Sequence, residues 1–273
     1  MNWETFHHPD WSLPVIKRRM SEHWIDLMKD VGEILLTNGR SLLWNHSYPS
    51  QTAFNMAMSR LKKDGLLVSY EDEVRLPRLK LTSTGKKSLP AYHHPEKHWN
   101  IDWNGIWYVL IFDVPEAQRH YRDNLRRFLK KIHMGCLQKS VWVTPKDIRP
   151  AYDDLEQAAN VHAVSYLFEA KTVLHLDTEE IVNNAWNFGQ LQELHDRYLE
   201  VFGRNLTLLS QDHSEDAVLL LLNQEAEAYV QCMMNDPLLP SSLLPRHYKG
   251  KQVYKLHSKI RKEIANTLLR NNK

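Results

Sequence analysis

Only two cysteines, Cys136 and Cys232, occur in the 273 residues, and no CxxC pair or other metal-ligand spacing accompanies them. Their scarcity predicts free thiols in a reducing compartment and excludes both a disulfide framework and a cysteine-ligated zinc. Long apolar runs are missing too: nothing approaches the roughly 20 residues that a membrane span requires. Residues 1–14 are polar and aromatic rather than signal-like, so a cytoplasmic protein without a membrane partner is expected. Neither sign of charge dominates. The net charge is +2, with 42% hydrophobic and 25% charged residues, which excludes disorder or coiled coil as a whole-chain description. The length leaves room for two or three small domains, each with its own core.

Histidine, by contrast, is plentiful at 15 residues. His7-His8 and His93-His94-x-x-x-His98 suggest a metal, but no acidic or cysteine partner stands at ligand spacing beside them. The second cluster falls in residues 91–100, where Pro95 and charged neighbours predict a linker with solvated histidines. No metal and no cofactor is expected.

The small charge excess is unevenly placed, with thirteen Lys/Arg against eight Asp/Glu between Ser12 and Pro90. That region contains the stretch SQTAFNMAMSRLKKDGLL, from residue 50 to 67. Phe54, Met58 and Leu61 recur at helical spacing on one face, whereas Thr52, Asn55, Met56, Ser59, Arg60 and Lys63 point away from it. Ser50 is placed to cap the helix and Asp64-Gly65 to end it. Residues 65–70 then read as a strand, Glu71-Asp72-Glu73 as a polar turn and residues 74–81 as a returning strand, with residues 82–87 closing the unit. Helix followed at once by hairpin is the pattern of a winged helix-turn-helix. Arg75 and Arg78 on the wing and Lys62 and Lys63 at the helix end are then candidates for phosphate. The acidic tip argues against deep insertion of the wing, and a basic amphipathic helix is also compatible with a solvated surface. Upstream, residues 15–39 predict a helix with a stripe from Ile16 to Leu35, and residues 41–44 a short supporting helix. Trp3, Phe6 and Trp11 mark residues 1–14 as an irregular arm lying across another surface.

Residues 108–112, YVLIF, predict a strand buried on both faces. A helix over 117–132 follows, with Tyr121, Leu125, Phe128, Leu129 and Ile132 on its apolar stripe and Arg119, Arg122, Arg126, Arg127, Lys130 and Lys131 elsewhere. Strand 136–144, helix 151–159 and strand 163–168 complete a small ferredoxin-like α/β sandwich. From Thr178 onward the pattern is helical: one region ending at Gly203, one capped by Ser214 and running to Met234, and a last helix over 252–269. Between the last two, Asp236-Pro237-Leu238-Leu239-Pro240 and Leu243-Leu244-Pro245 form an apolar, proline-stiffened bridge. The fold class expected is α+β. Its parts are an arm (1–14), a winged helix-turn-helix (15–90), a linker (91–102), a ferredoxin-like domain (103–177) and a helical C-terminal domain (178–273) that serves dimerisation or ligand sensing.

Several motifs in this order resemble the PaaX family of phenylacetate-catabolism repressors. They are Ala53, Ala57 and Ser59-Arg60-Leu61 before Asp64-Gly65; Trp103-x-Gly-x-Trp107; Phe112-Asp113-x-Pro115-Glu116 with Arg119, Arg122 and Leu125-Arg126; Gln138-x-Ser140-Val141-Trp142-Val143-x-Pro145; Ala185-Trp186; and the two proline motifs of the bridge. The resemblance implies a homodimeric repressor that binds an inverted-repeat operator in double-stranded DNA and is released by a small effector such as phenylacetyl-coenzyme A. Thr52, Asn55 and Met56 then occupy variable outward slots of the recognition helix, and Ser59 and Arg60 recurrent ones. The slots at Thr52 and Asn55 are often basic in relatives and are neutral here, so a different operator is expected. Arg119, Arg122 and Arg126 are candidates for an acyl-coenzyme A effector, although a solvated basic helix face accounts for them equally.

The central domain is also similar in fold to the small CRISPR-adaptation nuclease subunit, in which an Asp at the end of the first strand can hold a divalent metal. Asp113 has that position. A single carboxylate is a poor magnesium site, because phosphoryl-transfer chemistry draws on several ligands, and Asp113 also fits a turn. A metal-dependent nuclease and an effector-independent DNA-binding protein are the alternatives to a repressor that is not an enzyme.

Overall fold

The computed structural model describes residues 3–6, 51–71, 77–87, 89, 91–153, 164–172, 176–211 and 214–271. The helices expected at 15–39 and 41–44, the cap at Ser50, the tip of the hairpin with Arg75, and His7, His8 and Trp11 lie outside the described residues. The chain divides into two units: Met1–His93 with Glu193–Met233 and Lys249–Lys273, and His94–Gln192 with Met234–Tyr248.

In the first unit, helix α1 (Gln51–Lys63) precedes a hairpin of β1 (Leu67–Glu71) and β2 (Pro77–Leu81), paired antiparallel with Leu67 opposite Leu81 and Tyr70 opposite Arg78. Met58 and Leu61 of α1 are buried, as are Leu67 and Leu81. The end of α1 is a Schellman turn, with Leu66 N–H donating to the Leu61 carbonyl at 2.9 Å and Gly65 N–H to that of Lys62 at 3.0 Å. Gly65 takes φ +69° there, a left-handed conformation that glycine adopts without strain. Thr82 then locks the hairpin base. Its hydroxyl donates to the Gly65 carbonyl at 2.6 Å and accepts from Gly85 N–H at 2.9 Å, opening the short helix α2 (Ser83–Lys87). A Cβ at Gly85 would overlap the Leu66 carbonyl, so that close approach requires glycine.

The second unit opens with a short helix, α3 (Glu96–Trp99), in the stretch expected as a linker. The histidines of that stretch are not uniformly solvated: His93 is 2% exposed. Strand β3 (Trp107–Phe112), helix α4 (Arg119–Lys131), and strands β4 (Gly135–Gln138), β5 (Val141–Thr144) and β6 (Ser165–Ala170) follow. The sheet is antiparallel in the order β4-β5-β3-β6. Residues 149–153 are helical before β6, so the order of elements and strands is ferredoxin-like. The single strand expected over 136–144 is instead a hairpin, with a register shift between Cys136 and Gln138. Lys139 and Ser140 make its tip without the Gly, Asn or Asp that marks most two-residue turns.

Alternation along β3 gives the sheet two cores. Tyr108, Leu110 and Phe112 meet Leu125 and Leu129 of α4 and Trp142 of β5. Trp107, on the opposite face, packs with Val143, Ile181, Val182, Leu239 and Leu243. Burial on both faces is therefore found at the Trp107 end of β3, while Ile111 is exposed along with Tyr166, 70% exposed, and Phe168 of β6.

Helices α5 (Thr178–Ala185) and α6 (Phe188–Leu208) come next. The apolar stripe predicts a single helix to Gly203, but Trp186 is extended at φ −126°, ψ 137°, and α6 runs past Gly203 to Leu208. Asp177 begins α5 with a capping box, exchanging hydrogen bonds with Glu180. The two final helices are α7 (Glu215–Met234) and α8 (Gly250–Asn271), and Ser214 caps α7, its hydroxyl accepting from Ala217 N–H at 3.4 Å. Val253, Ile260, Ile264 and Leu268 of α8 are buried as its periodicity predicts.

Between α7 and α8 the bridge belongs to the second unit and is tied there by Asp236. This carboxylate, wholly buried, accepts from Leu238 N–H at 2.8 Å and from the Tyr248 hydroxyl at 2.5 Å. Burial raises its pKa to about 6 against these two bonds and the attraction of Lys146. Lys146 is itself lowered to about 8 by burial, opposed by Asp236. His133 and His98 are both lowered to about 4, chiefly by burial and then by Lys146.

In the first unit, α6, α7 and α8 converge on Glu225. The Tyr198 hydroxyl donates to one carboxylate oxygen, and the imidazole Nδ1 of His257 lies 2.7 Å from the same oxygen. Arg261 Nε lies 2.7 Å from the other. Tyr229 stacks on His257 with centroids 3.6 Å apart and donates its hydroxyl to the Tyr92 carbonyl at 2.8 Å. Residues 3–6 have no regular secondary structure and lie along α6 and α7. Trp3 Nε1 donates to the Ala217 carbonyl at 2.6 Å, and the Asn205 carboxamide accepts from Glu4 N–H and donates to the Glu4 carbonyl. Arg204 pairs with the Glu4 carboxylate at 2.7 Å, and Phe6 packs on Tyr198 and Phe202.

Glu225→Ala is expected to cost about 3–5 kcal/mol in chemical denaturation, since it strands Arg261 without its counter-charge inside the bundle; a loss below about 1 kcal/mol would contradict this account. Asp236 has the opposite pH signature to a salt-bridged acid. Its folded pKa is raised, so its contribution to stability is complete below its ordinary value near 4 and is lost as pH rises through about 6. Asp236→Asn should therefore gain on the wild type by up to about 3 kcal/mol as pH rises across that window, measured as denaturation midpoints at successive pH values, and a pH-independent difference would refute it.

Candidate nucleic-acid interface

Helix α1 separates its two faces as a groove-reading helix must. Thr52, Asn55, Met56, Ser59, Arg60, Lys62 and Lys63 are all exposed, while Met58 and Leu61 are buried. Met56 is 68% exposed, an apolar tip among polar and cationic neighbours. Such a surface can present a methyl-matching contact to thymine, a carboxamide at Asn55 suited to adenine, and guanidinium and ammonium groups to phosphate. Arg60, Lys62 and Lys63 crowd the last turn of α1, where they also compensate its dipole. On the hairpin, Lys80 lies 4.9 Å from the centroid of the Tyr70 ring, which orients one cation along β2, and Arg78 occupies the same strand.

The arginines considered for an effector are engaged within α4 and its surroundings. Arg122 pairs with Glu116 at 2.8 Å, a hydrogen bond that raises the arginine's pKa and lowers the glutamate's. Arg119 and Arg126 each lie 3.8 Å from the carboxylate of Asp123, and Arg126 also donates to the Lys139 carbonyl through Nε and Nη2. Asp113 is exposed just beyond β3, its N–H donating to the Val164 carbonyl at 2.8 Å. Among the described residues no group of three or more His, Cys, Asp or Glu side chains could hold a metal ion, so Asp113 has no ligand set there. Among the same residues no helix is long and apolar enough to cross a membrane.

Two family models match the chain: "PaaX protein central Cas2-like domain" over residues 100–182 and "PaaX-like protein C-terminal domain" over residues 186–269. The chain belongs to the PaaX family. A relative within it, the transcriptional repressor PaaX of Escherichia coli (strain K12), is 24% identical, the match covering 86% of this chain and 75% of that protein. The solved structure of the uncharacterized protein Rv0674 from Mycobacterium tuberculosis shares the fold with a TM-score of 0.57 at 16% identity, covering 92% of this chain and 97% of that one. The PaaX central domain corresponds to the β3–β6 sheet, and its Cas2-like description agrees with the ferredoxin-like strand order. The boundary between the two matched regions falls next to Trp186, where α5 gives way to α6.

Neither the Glu225 cluster nor the Asn205 clamp on the arm was evident from the sequence. Glu225, at i, i+4 spacing from the buried Leu221 and Tyr229 of α7, and the i, i+4 pair His257 and Arg261 on α8 were the available signals for the first. The second had none, because Asn205 binds backbone. Arg60→Ala is expected to weaken binding of the full-length protein to its DNA by about 1–3 kcal/mol and to lessen the salt dependence, with the oligomeric state unchanged. Fluorescence anisotropy against salt measures both, and an unaltered affinity would remove Arg60 from the interface.

Proposed function

We propose that this protein is a transcriptional repressor of a phenylacetate-type catabolic operon. In this reading it binds an inverted-repeat operator as a dimer through α1 and is released by an arylacetyl-coenzyme A thioester. The observation that carries this reading is the match along most of the chain to a PaaX repressor, joined to an α1 whose outward residues are of the types that contact bases and phosphates. Two copies double the phosphate contacts, so a change in the relative orientation of the two recognition helices abolishes binding without altering either helix. An effector that favours the non-binding geometry by about 1.4 kcal/mol lowers operator affinity tenfold.

Selection of duplexes from sheared host DNA by the purified protein, at about 0.15 M salt to suppress non-specific phosphate binding, tests this directly. An inverted repeat upstream of genes for aromatic-acid catabolism is the expected product. Recovery of no sequence above background would refute specific repression, and magnesium-dependent loss of the DNA that disappears in Asp113→Ala would establish the nuclease alternative instead.

A further inference from the structure

We propose that the open cleft at the corner between α5 and α6 is the effector site, with Trp186 and Phe188 receiving an arylacetyl group and the carboxamides of Asn183, Asn184 and Asn187 receiving the amide-bearing arm of its coenzyme A thioester. The proposal rests on the repressor reading above and adds to it the location and chemistry of the site.

The cleft has a volume of about 540 Å³, within the range of small-molecule sites. Its apolar wall is fixed in place. Trp186 Nε1 donates to the His133 carbonyl at 3.3 Å, and the indole lies so close over β4 that a Cβ at Gly135 would come within 2.6 Å of it. Phe188 is buried at the other side of the corner and packs edge-on against Tyr248. A rigid indole beside a phenyl ring suits a flat aromatic group. Asn187 lines the cleft and is committed to the helix through its Oδ1, which accepts from Gln190 N–H at 3.2 Å, so its Nδ2 carries the donors offered to a ligand. Asn183 and Asn184 are exposed, and their carboxamides pair donor with acceptor against a pantetheine amide.

Charge in the cleft is also of the right kind. Among the described residues no aspartate or glutamate lines it, whereas Cys136 and His247 do. Burial raises the Cys136 thiol, and Lys130 and Arg126 of α4 act against that rise, so two cations stand within electrostatic reach of this edge for the nucleotide phosphates. Arg126 thus returns as an effector candidate through its position near β4, without Arg119 and Arg122. Finally, the cleft occupies the first turn of α6, the helix whose later residues Phe202, Arg204 and Asn205 hold the N-terminal arm.

Calorimetric titration of the full-length protein with phenylacetyl-coenzyme A, alongside operator binding by anisotropy, tests the assignment. Asn184→Trp fills the cleft from an exposed position, and Asn183→Asp adds a repelling carboxylate with no added bulk. Saturable binding to the wild type, weakened at least about tenfold in Asn184→Trp and at least about threefold in Asn183→Asp, is the expected result. Both variants should bind the operator when thioester is absent, and both should remain on it at thioester concentrations that release the wild type. Wild-type-like thioester binding by Asn184→Trp, or by Asn183→Asp should the tryptophan variant misfold, would overturn the site and leave the repressor reading standing. Absence of saturable binding to the wild type would overturn the proposal as well, while retention on the selected operator would separately preserve repression.

Discussion

Three helices of the first unit meet on one carboxylate, that of Glu225, and this meeting constrains the whole bundle. A wholly buried glutamate is costly unless its charge is matched, and here burial is outweighed by Arg261, His257 and the Tyr198 hydroxyl, so that the carboxyl titrates below its ordinary range. Each partner comes from a specific turn of α6 or α8, and a sliding or rotation of either helix by one residue would leave a charge in an apolar interior. The polar cluster therefore fixes a register that leucines alone would leave degenerate. Tyr198 performs a second task from the same turn, since its ring receives Phe6 of the arm. The positions of the arm and of the helices are thus settled together.

Asp236 acts by a different balance. Its carboxylate is held by a hydroxyl, a backbone amide and the pull of Lys146, and its pKa rises where that of Glu225 falls. The turn it holds contains Leu238 at φ +49°, a strained conformation for leucine, and places Leu239 and Leu243 against β3 and β5. Polar atoms with satisfied bonds make that turn possible, and apolar burial of the two leucines provides the driving force. The proline motif of the bridge has its physical meaning here: a short stiff segment able to cross a core only because Asp236 bonds its own backbone two residues on.

What was legible in the sequence was local. The face of α1 followed from the spacing of Met58 and Leu61, and its end from Asp64-Gly65, because a Schellman turn is written in the residues that form it. Strand β3 and the cap at Ser214 were legible for the same reason. The β4–β5 hairpin was not, since Lys139 and Ser140 lack turn chemistry and the apolar alternation runs through them. The break at Trp186 was hidden in the same way: Ile181, Ala185, Phe188 and Leu191 keep helical spacing across it, and what interrupts the helix is the indole's seat on Gly135 and the His133 carbonyl, distant in sequence. Periodicity reports which residues will be buried and is silent about whether the backbone between them stays helical. The clamp on residues 3–6 was not legible, because Asn205 recognises a main chain that any residue would present.

The same distinction governs the functional residues. A basic outward helix face is a sequence property and can be read from residues 51–63, whereas a cleft exists only where distant segments meet. The arginines of α4 stand out in the sequence as a run of cations, yet a cation's usefulness to a ligand depends on what already satisfies it. Arg122 is held at close range by Glu116, while Arg119 and Arg126 flank the single carboxylate of Asp123, one negative charge between two positive ones. Of that pair it is Arg126 whose field reaches Cys136 at the cleft edge, where Lys130 adds to it. Anion recognition needs cations whose field is not fully cancelled. Trp186 meets the complementary condition for an aromatic ligand, being immobilised by one hydrogen bond and one glycine before any ligand arrives, so that binding does not have to supply the ordering. The corner that interrupts the α5–α6 stripe thereby becomes more than a packing detail: by ending one helix and starting the next beside an edge strand, it creates a concave surface that a continuous helix would have closed.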